Sequence, residues 1–181
     1  MADPIRDPDH DAAEAGARES LAPLELAAQV GARLRECGRS VATVESCTGG
    51  GIARLITAVA GSSDWFERGF VTYSNAAKSE MVGVSLELIA RCGAVSVEVA
   101  AAMAEGGIRF SEADECIAVT GVAGPGGGSA RNPVGAVCFG WAALSRETRC
   151  ERIQFNGDRA AVREQSATHA LAGLLALLRA E

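Results

Sequence analysis

Short apolar segments alternate with segments of helical periodicity along residues 24–120 of the chain. Runs at residues 41–45, 65–73 and 116–120 are typical of strands, and the stretches between them place apolar residues at helical spacing. Glycine or small polar residues follow each run and favour turns. Because strands that alternate with helices assemble into layered sheets, we predict an α/β fold, a three-layer α/β/α sandwich with a mixed, mostly parallel sheet.

The last third of the chain predicts a hairpin followed by a long helix. Residues 134–144 and 148–155 are the two candidate strands, and we place the hairpin loop at residues 145–147. Asp158 is typical of a helix N-cap, and leucines at helical spacing follow it. The hairpin adds antiparallel pairing, which is why we expect the sheet to be mixed.

The 181 residues are enough for one domain, and the acidic side chains are unevenly distributed. Residues 1–20 hold six Asp and Glu side chains against two Arg, so they carry −4 of the chain's net charge of −6. We expect residues 1–22 to form a flexible acidic tail and residues 23–181 to form a single domain. The near-neutral remainder excludes general nucleic-acid binding, which requires a basic face, but allows an arginine-lined pocket.

Composition also limits the compartment and the cofactors. No apolar run reaches the ~18 residues of a membrane span, and the acidic N-terminus lacks the apolar core of a secretory signal. The six cysteines have no Cys-x-x-Cys spacing, and two histidines are too few for an obvious zinc site. We therefore expect a cytoplasmic protein with free thiols, no metal, no cofactor, no membrane partner and no nucleic-acid partner.

One lysine and one tyrosine stand out because each is unique in the chain. The 17 cationic side chains comprise sixteen arginines and Lys78, and Tyr73 lies five residues before this lysine. Arginine cannot act as a base near neutral pH, whereas lysine can when its pKa is lowered. Lys78 is therefore a candidate general base, with a surface lysine retained by chance as the alternative.

A glycine-rich junction, E-S-C-T-G-G-G at 45–51, follows the first strand. Its glycines let a ligand approach the backbone, and the helix start supplies free N–H groups. Ligands gather at the carboxyl ends of strands in α/β sheets. If the first two strands are neighbours, Lys78 could face Ser46, and a Ser–Lys pair is a known combination of nucleophile and base. Tyr73 could orient the hydroxyl or relay a proton, and a tight turn capped by Thr48 is the purely structural alternative.

A second glycine-rich segment, T-G-V-A-G-P-G-G-G-S at 120–129, follows the third strand. It could form an anion-binding nest of backbone N–H groups, or it could be a plain flexible loop. Arg131 and Arg159 are candidate phosphate ligands, although either could be an ordinary surface arginine. A Ser-His-Asp triad would have to use His169, which we expect to be a packed or surface residue of the last helix.

Six motifs resemble, in the same order, those of the CinA C-terminal family over about residues 24–178. They are E-S-C-T-G-G at 45–50, G-S-S-D-W-F-E-R-G-F-V-T-Y-S-N-A-A-K at 61–78, G-A-V-S at 93–96, V-T-G-V-A-G-P-G-G-G-S at 119–129, P-V-G at 133–135 and G-D-R at 157–159. The chain resembles the family's stand-alone nicotinamide-nucleotide amidases. The resemblance implies hydrolysis of nicotinamide mononucleotide (NMN) to nicotinate mononucleotide and ammonia, in pyridine nucleotide recycling.

The resemblance also implies roles for individual residues. It places the nucleophile at Ser46, the base at Lys78 and an assisting group at Tyr73. Backbone N–H groups near Thr48 and Gly49 would stabilise the oxyanion. We expect a homo-oligomer, a dimer or larger, whose small nucleotide substrate is bound by residues of the loop motifs: Glu45, Thr48, Gly49, Gly50, Asn75, Gly121, Gly126, Gly127, Ser129, Arg131 and Arg159.

Two alternatives remain open. Cys47 could be the nucleophile instead, but strand alternation would point Ser46 and Cys47 in opposite directions, and we expect Cys47 to lie in the core. The chain could also be a non-catalytic nucleotide-binding or competence-linked interaction module, which could dispense with Ser46 and Lys78.

Overall fold

The computed structural model describes residues 22–180, which form a sheet between two layers of helices. The helices in this part of the chain are α1 (Pro23–Cys37), α2 (Gly51–Thr57), α3 (Asn75–Val82), α4 (Leu86–Cys92), α5 (Val97–Arg109) and α6 (Arg159–Arg179). The strands are β1 (Val41–Glu45), β2 (Phe66–Val71), β3 (Glu115–Gly121), β4 (Ala136–Ala143) and β5 (Arg146–Gln154). The predicted α/β/α sandwich is confirmed.

The five strands form one mixed sheet in the order β2-β1-β3-β4-β5. Strand β1 pairs in parallel with both β2 and β3, whereas β3–β4 and β4–β5 are antiparallel pairs. Four strands therefore point the same way and only β4 opposes them, as predicted. The carboxyl ends of β1, β2 and β3 meet at one edge of the sheet, where ligands bind in folds of this kind.

The central strands are apolar along their length because both faces of the sheet are covered. Every residue of β1 is buried, and β3 and β4 are buried except at their last positions. On one face, Ile117 and Val119 pack with residues of α1, α2 and α6. On the other face, Cys116 and Ala118 pack with residues of α3, α4 and α5. Alternate residues of β3 thus contribute to two separate cores.

The hairpin turn differs from the prediction. Strand β4 ends at Ala143 and β5 begins at Arg146, so the turn has two residues and does not include Arg146. In the ladder Arg146 pairs with Ala143, and its guanidinium donates to the buried carboxylate of Glu115 at 2.9 Å. This ion pair holds Arg146 in the strand.

The second strand is also shorter than residues 65–73. The side chain of Trp65, only 1% exposed, packs in the core before the strand begins. After Val71 the chain turns, because Ser74 is the N-cap of α3 and its hydroxyl accepts the N–H of Ala77 at 3.0 Å. Tyr73 therefore lies in a loop at the carboxyl end of β2 and not in the strand.

The acidic tail predicted for residues 1–22 lies outside the described residues, apart from Ala22. The division of the chain into a tail and one domain therefore stays a prediction. Within residues 22–180, each helix is too short or too polar to cross a membrane.

Replacing Gly140 by alanine should destabilise the protein, because helix α5 lies directly against the backbone of β4 at this point. An added Cβ would lie 2.4 Å from the carbonyl oxygen of Ala100, so the helix would have to move. We expect Gly140→Ala to lower the free energy of unfolding by about 1–3 kcal/mol, measured by denaturant titration. The control is Gly126→Ala, whose Cβ would meet nothing within 4 Å, and which should change stability by less than ~0.5 kcal/mol. Equal stabilities of the two variants would contradict this packing argument.

Candidate active site

A cavity of about 240 Å³ opens at the carboxyl ends of β1, β2 and β3. Four loops and the start of α6 meet there, so side chains far apart in the sequence share one pocket. The residues that line it are Ser46, Cys47, Tyr73, Asn75, Lys78, Ala94, Val95, Thr120, Gly121, Ala123 and Arg159.

Ser46 lies on a tight turn between β1 and α2. Its N–H donates to Val119 at 3.0 Å, and its own carbonyl accepts the N–H of Gly49 at 3.0 Å. Gly49 and Gly50 have φ angles of 59° and 90°, a left-handed conformation that glycine adopts at little cost. The glycines of the motif thus allow the chain to reverse immediately after Ser46, which leaves its hydroxyl at the cavity.

The structure brings Lys78 into contact with Ser46. Lys78 lies on α3 and is only 2% exposed, and its Nζ is 3.0 Å from Ser46 Oγ. The same Nζ donates to the carbonyl of Thr72 at 2.9 Å and lies 3.5 Å from that of Tyr73. Both forms of the amine can use these partners: the ammonium donates to all three oxygens, and the neutral amine donates to the two carbonyls and accepts the serine hydroxyl.

Burial lowers the pKa of Lys78, because removing the amine from water disfavours its charged form. The neighbouring Cys47 acts in the opposite sense, but burial is the larger effect. Burial therefore shifts the equilibrium toward the neutral amine, which is the form that can accept a proton from a serine hydroxyl.

Cys47 borders the same cavity, although we expected Ser46 and Cys47 to point in opposite directions. The strand ends at Glu45, so the two-residue alternation of a strand no longer applies to the two positions after it. Cys47 does pack in the core that α1, α2 and α6 share, and burial raises the pKa of its thiol to about 12. The thiol is therefore protonated at neutral pH, which makes it a poor nucleophile.

Tyr73 contributes its backbone carbonyl to Lys78, but its hydroxyl points elsewhere. The side chain is 60% exposed, and its hydroxyl accepts a hydrogen bond from Arg159 at 3.1 Å. Arg159 also donates to the carbonyl of Gly124 at 2.8 Å. This arginine, the first residue of α6, therefore links the loop after β2 to the glycine-rich loop at the edge of the cavity.

The residues expected to bind substrate fall into two groups. Asn75, Gly121 and Arg159 line the cavity, together with Ser46, Tyr73 and Lys78. The others lie outside its lining: Glu45, Thr48, Gly49, Gly50, Gly126, Gly127, Ser129 and Arg131.

Two of these outer residues, Ser129 and Arg131, have partners in or beside the second glycine-rich segment. The backbone carbonyl of Arg131 accepts a hydrogen bond from Arg152, and the Ser129 hydroxyl accepts the N–H of Asn132. These contacts shape the glycine-rich loop rather than the cavity wall.

One wall of the cavity consists of residues that were not predicted from the sequence. Ala94 and Val95 line it, and each is anchored through its carbonyl: Thr120 Oγ1 donates to Ala94 at 2.8 Å, and Asn132 Nδ2 donates to Val95 at 3.0 Å. These residues lie in the G-A-V-S motif at 93–96, so the family resemblance was the one feature of the sequence that pointed to them. Small apolar side chains carry no chemistry that would single them out.

His169 is a packed residue of α6. Its ring centroid is 4.7 Å from that of Phe139, and its Nε2 is 3.5 Å from a carboxylate oxygen of Glu151. It does not line the cavity of Ser46, which supports the expectation that it is not part of a triad. Within residues 22–180, no three His, Cys, Asp or Glu side chains are arranged to hold a metal ion.

Known proteins resemble this chain over most of its length. The CinA C-terminal domain family matches residues 24–178. The nicotinamide-nucleotide amidohydrolase PncC of Escherichia coli is 50% identical over 148 residues, which cover 82% of this chain and 90% of that protein. The protein of the same name from Pseudomonas putida is 53% identical over 152 residues, which cover 84% of this chain and 94% of that protein. The competence/damage inducible protein CihA of Agrobacterium tumefaciens has a crystal structure that matches with a TM-score of 0.84 and 42% identity, over 86% of this chain and 94% of that chain.

The pKa of Lys78 can be measured directly because the chain has one lysine. Protein labelled with ¹³C-lysine should give one lysine side-chain signal, and we expect it to titrate below the ~10.4 of a free lysine. The pKa is expected to be lowered because burial disfavours the ammonium form, which then loses its proton at a lower pH. The same sample unfolded in urea is the control and should titrate at the ordinary value. A folded-state midpoint at or above that value would contradict the desolvated amine.

Proposed function

Because the chain belongs to the CinA C-terminal domain family, we propose that it hydrolyses the carboxamide of NMN to nicotinate mononucleotide and ammonia, in pyridine nucleotide recycling. The observation that carries the proposal is the contact of 3.0 Å between a buried lysine amine and a serine hydroxyl in a cavity. Amide hydrolysis needs an activated nucleophile, and this pair supplies one.

In the proposed mechanism, the neutral amine of Lys78 takes the proton of Ser46 as Oγ attacks the carboxamide carbon. The C–N bond then breaks, and Lys78 gives the proton to the departing ammonia. Water cleaves the ester to Ser46 in the second half of the reaction and restores the serine. Tyr73 assists through its carbonyl, since its hydroxyl is bonded to Arg159.

The developing oxyanion requires N–H donors near Ser46. The N–H of Gly49 already donates to the Ser46 carbonyl at 3.0 Å, so it is engaged in the turn. Of the two N–H groups expected to stabilise the oxyanion, this leaves that of Thr48, and one such donor is typically worth about 3 kcal/mol in the transition state.

The size of the cavity supports binding of one end of the substrate. Its volume of about 240 Å³ is below the ~300–1,000 Å³ of most ligand sites, so it suits the pyridine carboxamide alone. A neighbouring cavity of about 660 Å³ shares Ala123 and Arg159 with it and also contains Arg163. We assign the ribose and the 5′-phosphate to this outer cavity, with Arg159 as a phosphate ligand. Arg131 lines neither cavity.

Release of ammonia from NMN by the purified protein is the experiment that tests the function. Binding of NMN without release would instead favour a non-catalytic nucleotide-binding or competence-linked module. The cytoplasmic location and the homo-oligomeric state stay predictions.

Replacement of Ser46 should distinguish it from its neighbour. Ser46→Ala removes the nucleophile, so we expect no measurable ammonia release while the thermal unfolding temperature stays close to that of the parent. Cys47→Ala should keep most of the activity, because the buried thiol is protonated at neutral pH. A folded but inactive Cys47→Ala protein, together with an active Ser46→Ala protein, would assign the nucleophile to Cys47.

Replacement of Lys78 by arginine should separate basicity from charge. Arginine can supply positive charge with a similar reach but cannot lose its proton near neutral pH, so turnover should fall at least ~10²-fold, as is typical when a general base is lost. NMN affinity, measured by calorimetry, should fall much less. The parent enzyme's turnover should also rise with pH through one ionisation below the ~10.4 of a free lysine, as the amine loses its proton. Near-normal turnover of a folded Lys78→Arg protein would remove Lys78 as the base.

A further inference from the structure

Glu45 lies next to the proposed nucleophile, but its side chain is turned away from the cavity. Its carboxylate is 1% exposed and does not line the pocket. We propose that Glu45 is a positioning residue, which fixes the turn between β1 and α2 and thereby holds Ser46 against Lys78. The inference rests on the proposed role of Ser46 and replaces the expectation that Glu45 binds substrate.

Three hydrogen bonds connect Glu45 to the far side of the turn. Oε2 accepts the hydroxyl of Thr48 at 2.7 Å and the N–H of Ile52 at 3.0 Å, and Oε1 accepts the N–H of Ala53 at 2.8 Å. The carboxylate therefore closes a loop that starts at the last residue of β1, contains Ser46 and ends in the first turn of α2. Within that loop, Ser46 cannot shift without straining these bonds.

Glu45 accepts the helix N–H groups that an N-cap side chain usually accepts. The N-cap position of α2 is Gly50, which has no side chain to accept the first N–H groups of the helix. The left-handed turn requires glycine there, so the acceptor must come from elsewhere. A carboxylate at a helix N-terminus is stabilised by both the N–H groups and the helix dipole, which compensates for its burial.

A second contact holds the same turn from the opposite side. Arg163 of α6 donates to the backbone carbonyl of Thr48 at 2.7 Å. Thr48 is thus fixed by its hydroxyl to Glu45 and by its carbonyl to α6, two residues after Ser46. Since a displacement of about 1 Å in a catalytic group can cost ~10²-fold in rate, these contacts bear directly on turnover.

The test compares two buried glutamates. In Glu45→Gln the amide would place a donor among the N–H groups of Ile52 and Ala53, so the turn should loosen. Glu115→Gln is the matched control, because Glu115 is equally buried but starts β3 at the opposite end of the sheet, where Arg39 and Arg146 are its partners. Both variants should be less stable than the parent, but only Glu45→Gln should affect the reaction.

For folded Glu45→Gln we expect kcat for NMN to fall by about 10²-fold with KM within a few-fold of the parent, since a positioning residue acts on the reacting atoms. Glu115→Gln should keep the parent's kcat per folded molecule. A parental kcat in Glu45→Gln would overturn the inference. A raised KM with unchanged kcat would also overturn it and return Glu45 to substrate binding.

The single lysine signal provides a readout without substrate. In ¹³C-lysine-labelled protein, the Lys78 side-chain resonance should move in Glu45→Gln and stay in place in Glu115→Gln, because only the first variant disturbs the contact with Ser46. An unmoved resonance in Glu45→Gln would overturn the inference. If the parent releases no ammonia from NMN, the proposed function fails, but this comparison still decides the role of Glu45. If Glu45→Gln does not fold, Thr48→Val replaces it, since it removes one bond to the carboxylate and should shift the resonance in the same way.

Discussion

Removal of the Lys78 amine from water is the constraint on which the candidate site depends. An exposed lysine is protonated at neutral pH and cannot accept the serine proton, so the chemistry requires burial. Burial in turn requires partners for every polar atom of the amine, and the carbonyl of Thr72 and the hydroxyl of Ser46 provide them at 2.9 and 3.0 Å. The loop after β2 and the turn after β1 must therefore approach within hydrogen-bonding distance of the same nitrogen.

The parallel pairing of β1 and β2 satisfies this requirement. Both strands end at the same edge of the sheet, so the chain that leaves β1 meets the chain that leaves β2. Helix α3 then begins at Asn75, three residues before Lys78, with Ser74 as its cap. One helical turn brings the lysine back over the strand ends, which is why a side chain 32 positions from Ser46 contacts it.

The sequence predicted those parts of the molecule that follow from periodicity and from rare residue types. Alternating apolar segments predicted the sandwich, and the uniqueness of the lysine indicated Lys78 independently of the family resemblance. Positions that depend on a distant partner were not predictable. The hairpin turn is shorter than predicted because Arg146 binds Glu115, and the Tyr73 hydroxyl bonds to Arg159 rather than to Ser46 or Lys78. Glu45 was assigned to the substrate because its motif suggested a site, while its three partners are known only from the fold.

The two buried glutamates of the sheet accept hydrogen bonds from different kinds of partner, and the difference follows from their surroundings. Glu115 lies at the amino end of β3, away from the cavity, and is held by the guanidinium groups of Arg39 and Arg146. Glu45 lies at the carboxyl end of β1 and is held by two backbone N–H groups and a hydroxyl. Backbone donors are fixed by the helix itself, so they stabilise the carboxylate and make the turn rigid at the point where the reacting atoms must not move.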